Sequence, residues 1–154
     1  MDKSSVEKEI RSAFRGVKLG DGIGLFEAQA IDDYQCEKVQ KEWRKRDQKE
    51  AWSLIAYRDL QRCRSSLCFF DADGMRFHLP AYIIGSLHEE VDDLIFHLSQ
   101  LDDYAISKFA SLNGLQRSAI FCYLQWCLGE DEYEFEHPAI KRALDEYWLQ
   151  QSNK

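Results

Sequence analysis

The chain has 154 residues, of which 45% are hydrophobic and 13% aromatic, and its formal net charge at pH 7 is −7. This length favours a single domain, 1–154, that needs no metal or disulfide to stabilise its core, and the aromatic content argues against intrinsic disorder. No stretch approaches the ~20 apolar residues of a membrane span. Residues 1–14 lack the apolar core of a signal peptide, so the sequence predicts a cytoplasmic protein that does not associate with a membrane.

The first third of the chain predicts helices around a glycine-rich loop. Apolar residues recur at helical spacing from Val6 to Val17, so residues 5–15 predict a helix, with Ser4 at its N-cap. Three alternate glycines follow between positions 20 and 24. Two stretches rich in helix-forming residues come next, 25–34 and 36–50.

The middle of the chain predicts a β-hairpin. The runs 66–70 and 75–79 flank the linker Asp71-Ala72-Asp73-Gly74, whose composition is typical of a four-residue hairpin turn. In the second run, large apolar residues alternate with Arg76 and His78, which is the period of a strand. Because two strands alone are marginal in water, the hairpin is expected to pack against helices or to pair with a third strand, at 82–84 or 94–98.

The last third predicts two further helices. Asn113 and Gln116 can cap a helix over 114–128, and Pro138 suits the first turn of the next one. The predicted fold class is therefore α+β: a single, mostly helical domain with a small antiparallel β-hairpin or three-stranded sheet packed against helices.

The glycine loop does not fit the known phosphate-binding patterns. A dinucleotide-binding fingerprint needs a strand before G-x-G-x-x-G, whereas here a helix precedes the loop and the spacing is G-x-G-x-G. Glu27 would also repel an anion at the N-terminus of the following helix. We therefore interpret residues 20–24 as a turn in which glycine supplies positive φ, and we predict no cofactor.

Polar residues around the loop and the hairpin form a candidate site or structural network: Glu27, Asp32, Asp33, Tyr34, Asp71, Arg76 and His78. One interpretation is structural, with a buried pair between Arg76 and a carboxylate of the 25–34 helix. The alternative is a small hydrolase, metal-dependent or not, with its site between 24–34 and the 66–79 hairpin. Since the histidines lack metal-binding spacing, no metal ligand set is predicted. Three or more of these side chains around one concave pocket would favour catalysis.

Charge is unevenly distributed along the chain. Residues 36–64 carry nine basic and five acidic residues, whereas 86–103 and 130–136 carry six and five acids and no lysine or arginine. These acidic runs predict a surface for a basic partner protein, in the manner of toxin-neutralising immunity proteins, and the overall sign argues against nucleic acid. Oligomeric state is left open. The predicted surface comprises Glu89, Glu90, Asp92, Asp93, Asp102, Asp103, Glu130, Asp131 and Glu132.

Two central blocks, "GDGIGLFEAQAIDDY" and "FFDADGMRFHLPAYII", resemble a bacterial family of small cytoplasmic proteins classed only as a domain of unknown function. The downstream "SLNGLQRSAIFCYLQW" and "ALDEYW" are similar as well, so the resemblance runs from about Phe14 to Trp148. It implies a shared fold and brings no activity, cofactor or partner with it. The resemblance marks, without assigning roles, the pattern positions Glu27, Asp32, Asp33, Tyr34, Asp71, Arg76 and Pro80.

Overall fold

The computed structural model describes residues 1–92 and 94–152, and within those ranges all regular structure is helical. The α-helices are Lys3–Ala13 (α1), Leu25–Asp32 (α2), Glu37–Arg44 (α3), Tyr57–Arg62 (α4), Ala72–Leu87 (α5), Leu94–Ser99 (α6), Asp103–Ser107 (α7), Gly114–Leu128 (α8), His137–Ala143 (α9) and Leu149–Ser152 (α10). Segments of 3-10 helix cover Trp52–Leu54, Arg64–Cys68 and Asp131–Glu136, and one π-helical turn covers Leu144–Trp148. No described residue lies in a β-strand, so the fold is all-α and the α+β prediction is wrong.

The central helix α5 replaces the predicted hairpin. Asp71, expected in a hairpin turn, caps this helix: its carboxylate accepts a hydrogen bond from the Gly74 N–H at 2.8 Å. The apparent strand period was misleading because His78 is as fully buried as its apolar neighbours. A helix buried on nearly every side has no polar face, and its sequence therefore carries no helical period. Neither proposed third strand exists, since 82–84 lie inside α5 and 94–98 inside α6.

Pro80 lies in the interior of α5, between the buried residues Leu79 and Ala81. An interior proline removes one helical hydrogen bond and typically costs about 3 kcal/mol. Packing against α1, α6 and the Trp52–Leu54 segment offsets that cost. At 16 residues α5 is the longest helix in the described ranges, and none there is long and apolar enough to cross a membrane.

A cluster of buried side chains extends from Val6 in α1 to Trp148 near the C-terminus. Helix α1 packs on α5 and α8, and α8 packs in turn on α9 and α10, while α2 packs on α3 and on the Arg64–Cys68 segment. The buried indoles also satisfy their polar atoms. Trp52 Nε1 donates to the Phe14 carbonyl and Trp148 Nε1 to the Leu98 carbonyl, both at 2.9 Å.

The helices predicted near both ends of the chain are confirmed. Helix α8 begins after Asn113, whose side chain accepts from the Gln116 N–H at 2.9 Å while Gln116 Oε1 accepts from the Asn113 N–H at 3.0 Å. Helix α1 begins earlier than predicted because Asp2, rather than Ser4, is its N-cap. Asp2 Oδ1 accepts a hydrogen bond from the Ser5 N–H at 2.8 Å.

His78 makes stability depend on pH. Burial lowers the pKa of His78 to about 4, against 6.5 for the free side chain, although its Nδ1–H donates to the Gly74 carbonyl at 2.7 Å. The unfolded chain therefore binds a proton at a pH where the folded protein does not, and stability falls as the pH drops from about 6.5 to 4, by roughly 3 kcal/mol in total.

We expect the His78→Phe variant, which can keep the stack on Phe70, to lose much of this acid sensitivity. Urea unfolding midpoints measured for both proteins between neutral pH and about pH 4 check the prediction. A variant whose midpoint falls with pH as steeply as that of the wild type would contradict it.

Candidate functional site

The glycine loop meets the N-terminus of α5 at a tight junction. Asp71 Oδ1 accepts a hydrogen bond from the Ile23 N–H at 2.9 Å in addition to its bond from Gly74. A Cβ at Gly74 would lie 2.5 Å from the Ile23 carbonyl oxygen, and one at Gly22 would lie 2.7 Å from the Gly74 nitrogen. Gly22 and Gly74 are therefore required for close backbone approach. Positive φ was predicted for the glycine loop, and among its three glycines it occurs at Gly20 alone.

Glu27 and Arg44 hold the loop from its other side. Glu27 Oε1 accepts from the Gly24 N–H at 2.9 Å, and it lies 3.7 Å from Arg44 Nη1. Arg44 also donates to the Gly20 carbonyl at 2.7 Å. The carboxylate of Glu27 is thus occupied by the backbone and a cation of its own junction, which is a structural role.

Asp47 is a buried carboxylate that the sequence reasoning missed. It is 6% exposed and caps α2 from outside the helix, accepting from the Phe26 N–H at 2.6 Å and from the Glu27 N–H at 3.2 Å. Burial raises the pKa of Asp47 to about 6, although these two bonds favour its charged form. Asp47 lies in a run of alternating charges after Trp43, and its neighbours do not distinguish it from the other acids there. The sequence signal for an external cap is Gly24, because a glycine at the N-cap of α2 has no side chain to accept hydrogen bonds from the N–H groups of that helix.

The remaining candidates do not converge with Glu27. Asp32 and Asp33 accept hydrogen bonds from Gln29 Nε2 at 3.4 and 3.2 Å, on the surface of α2. Tyr34 is 97% exposed. Arg76 lies 3.5 Å from Asp73 of its own helix, in place of the predicted pair with the 25–34 helix.

His78 is stacked on Phe70, with ring centroids 4.3 Å apart, and is fully buried. Its Nε2 has no hydrogen-bond partner among the described residues. Within residues 1–92 and 94–152, no three His, Cys, Asp or Glu side chains are grouped so that they could hold a metal ion. The candidate side chains therefore do not surround one concave pocket, which is the arrangement that would favour catalysis.

A different part of the surface brings acidic residues together. A groove of about 540 Å³ lies between the C-terminal end of α5, helix α6 and the Asp131–Glu136 segment, and we call it the acidic groove. Its lining contains no lysine or arginine. Four carboxylate residues line it: Glu89, Asp92, Glu132 and Glu136. The fold thus joins two acidic runs that lie about 40 residues apart in the sequence.

The acidic groove is also lined by apolar side chains. Val91, Leu94 and Ile95 are buried beneath it, whereas Phe96 and Phe135 are 59% and 88% exposed. Two exposed phenylalanine rings thus lie beside a concave acidic surface. Phe135 lies inside the acidic run 130–136, and an aromatic residue among acidic ones is the sequence signal that could have indicated this groove.

Three hydroxyl groups stabilise one wall of the acidic groove. Ser86 Oγ is hydrogen-bonded to the Tyr123 hydroxyl at 2.8 Å and to the Tyr133 hydroxyl at 3.1 Å. Tyrosine hydroxyls are protonated at neutral pH, and burial raises the pKa of both tyrosines further, so each hydroxyl can donate and accept. These hydrogen bonds connect α5 to α8 and to the Asp131–Glu136 segment at the edge of the groove.

Glu89 has a left-handed backbone conformation at the edge of the acidic groove, with φ +60°. It follows α5, where the Glu90 N–H donates to the Gly85 carbonyl at 2.8 Å and the Glu89 N–H to the Ser86 carbonyl at 3.1 Å. Glycine is the residue that such a helix ending prefers. Tyr34 has the same conformation after α2, with φ +58°, but lies outside the groove lining.

The other residues of the predicted partner surface lie elsewhere. Asp102 caps α7, accepting from the Ala105 N–H at 2.8 Å, and Asp103 is in the first turn of that helix. Glu130 lines a separate cavity next to α8, and Asp131 is exposed. The Glu90 carbonyl accepts a hydrogen bond from Gln61. Asp93 lies outside the described residues. Of the predicted partner surface, the groove lining contains Glu89, Asp92 and Glu132, and it also contains Glu136, which was not predicted.

Comparison with known proteins places the chain in a family. It belongs to the family described as "Family of unknown function (DUF6714)", which matches residues 2–152. No curated protein and no solved structure matches it. The resemblance to a family of unknown function is thereby confirmed, and the description of that family assigns no activity.

The capping of α2 by Asp47 predicts a specific coupling with Gly24. A Cβ at Gly24 would overlap the Asp47 carboxylate, so Gly24→Ala should displace the cap. Asp47→Ala should cost about 2–3 kcal/mol, because two backbone N–H groups of α2 lose their acceptor.

Since both substitutions remove the same interaction, we expect the double variant to lose clearly less stability than the sum of the single variants. Chemical denaturation of the wild type, the two single variants and the double variant measures this coupling. Additive losses would show that Asp47 does not act through Gly24 and the start of α2.

Proposed function

We propose that this protein is a non-enzymatic binding module whose acidic groove docks a basic, amphipathic segment of another protein. The observation that carries the proposal is the groove lining, which combines four carboxylates with six apolar residues and contains no lysine or arginine. The complement of such a surface is a segment with lysine or arginine beside apolar side chains. A non-enzymatic role also fits the candidate residues around the glycine loop, whose carboxylates are occupied by backbone N–H groups.

Charge supports a basic partner. Carboxylates on both sides of one groove raise the local concentration of positively charged groups and accelerate association more than they tighten the final complex. Arg64 approaches Asp92 to 4.0 Å at the edge of the groove, but both side chains are mostly exposed. An exposed pair of this kind contributes little free energy and leaves the field of the groove largely unopposed.

The exposed aromatic rings supply the affinity that charge does not. Interface energy is concentrated in a few large side chains that become fully buried on binding, with polar groups around them. Phe96 and Phe135 have the required exposure and stand beside Glu132 and Glu136. A partner that covers both rings would exclude water from the surrounding ion pairs and strengthen them.

The backbone conformation of Glu89 is a further support. A non-glycine residue in the left-handed region costs about 1–2 kcal/mol, and an acid at a helix C-terminus also opposes the helix dipole. Both costs fall on a residue that lines the groove. Tyr34 has the same strain but not the unfavourable charge, so the observation that supports a role for Glu89 is the combination of strain and charge in the groove lining.

Site-specific photo-crosslinking tests the proposal, in extracts of cells that produce the protein, adjusted to low or to moderate salt. Phe135→p-benzoylphenylalanine places the crosslinker in the groove, and Leu115→p-benzoylphenylalanine, at a residue 74% exposed in α8, is the matched control. We expect a basic protein to be captured at 135 and not at 115, with a yield that falls between low and moderate salt.

A pair of charge reversals then separates the groove from the acidic run as a whole. Glu132→Lys changes a lining residue, whereas Glu134→Lys makes the same charge change at an exposed position of the same segment outside the lining. Only the first should abolish capture at 135. Equal capture at 135 and 115, or equal effects of the two reversals, would refute a role for the groove.

Glu89→Gly should move stability and binding in opposite directions. Glycine relieves the left-handed strain and removes an acid from the helix end, so stability should rise by roughly 1 kcal/mol. Capture at 135 should fall, because the groove loses a carboxylate.

The matched control is Tyr34→Gly, which relieves the same strain after α2 without changing the groove. It should raise stability and leave capture unchanged. Thermal unfolding and crosslinking yield, measured on both variants, check the prediction. A Glu89→Gly protein that is stabilised and still captures the partner in full would show that Glu89 has no binding role.

A further inference from the structure

A second concave site lies on a part of the surface that shares no lining residue with the acidic groove. It is a pocket of about 290 Å³ between α1, residues 52–57 and α5, near the lower end of the range for small-molecule sites. Its lining is mainly apolar and aromatic, with Trp52, Tyr57, Ala81 and Ile84 among its residues. Its one charged lining residue is Arg11.

Arg11 uses only one edge of its guanidinium within the protein. Its Nε and Nη2 atoms donate to Glu7 Oε1 at 3.1 and 2.9 Å. Its Nη1 makes no hydrogen bond among the described residues, and the side chain is about half exposed. The guanidinium carbon lies 5.8 Å from the centre of the Trp52 ring. The end-on edge, formed by Nη1 and the second N–H of Nη2, is therefore available at the rim of the pocket.

The apolar part of the pocket is built on side chains with fixed positions. Ala81 and Ile84 belong to the buried helix α5, and Trp52 is 6% exposed. The Trp52 indole N–H is already satisfied by the Phe14 carbonyl at 2.9 Å. The ring therefore needs no polar group from a ligand and offers it only apolar contact.

We propose that this pocket binds a small organic acid, with its apolar body on Trp52 and Ile84 and its carboxylate on the free edge of Arg11. A carboxylate matches that edge because two parallel N–H donors are best satisfied by two oxygens of the same group. Glu7 already balances the formal charge of Arg11, so recognition rests on this bidentate geometry and on burial of the apolar body. We expect a modest affinity for a simple probe.

Titration with 2-naphthoate, followed through the indole N–H signals in two-dimensional NMR spectra, tests the proposal. We expect the Trp52 signal to shift and saturate, and the signals of Trp43, Trp126 and Trp148 to stay in place. The neutral analogue 2-naphthamide should bind about tenfold more weakly, as expected when a charge-assisted hydrogen-bonded pair is lost.

Two matched variants identify the anion site. Arg11→Gln should weaken 2-naphthoate about tenfold and leave 2-naphthamide unchanged. Arg15→Gln removes the same charge from an exposed position just beyond α1 and should change neither. Loss of the exposed Glu7–Arg11 pair has little effect on stability, so the variant remains folded.

Ala56→Phe fills the pocket from an exposed lining position and should abolish the Trp52 shift. Each alternative result overturns the proposal: no saturable shift in the wild type at millimolar probe, equal binding of acid and amide, or full binding to Ala56→Phe. The pocket and the acidic groove share no lining residue, so a negative result with 2-naphthoate would not affect the proposed function of the groove.

Discussion

The arrangement of this protein depends on the carboxylate of Asp71, which accepts backbone hydrogen bonds from two segments at once. One bond caps α5 and fixes where the buried central helix begins. The other, from the Ile23 N–H, holds the glycine loop against that helix end, where Gly22 and Gly74 leave no room for a side chain. The position of α2 follows from the loop, and the position of the acidic groove follows from the opposite end of α5.

The two ends of α5 explain why similar acidic residues have different roles. A helix N-terminus has N–H groups without intrahelical partners, and a carboxylate placed there accepts hydrogen bonds from them. Asp71 does so at α5, and Asp47 does so at α2. A helix C-terminus offers carbonyls, which give a carboxylate nothing to accept and oppose its charge. Glu89 directly follows the C-terminal end of α5, so no unpaired helix N–H group lies there to donate a hydrogen bond to its carboxylate, and Glu89 lines the acidic groove instead.

Local rules were sufficient wherever an element is defined by its own residues. The cap formed by Asn113 and Gln116 predicted the start of α8 because both partners lie within one turn. The same rules failed at α5, where the alternation of Arg76 with apolar neighbours in residues 75–79 predicts a strand. Burial of His78 and accommodation of Pro80 are consequences of packing, and no local pattern encodes them.

The sequence by itself determined the acidic charge, the helices at both ends, and the presence of two acidic runs without lysine or arginine. Only the tertiary structure decided that Glu89 and Asp92 share a groove with Glu132 and Glu136, and that Asp47 caps a helix from about 20 residues away. The physical reason is range. Propensities and caps act within one turn, whereas a groove and a long-range cap require segments distant in sequence to be brought together by burial of a common core.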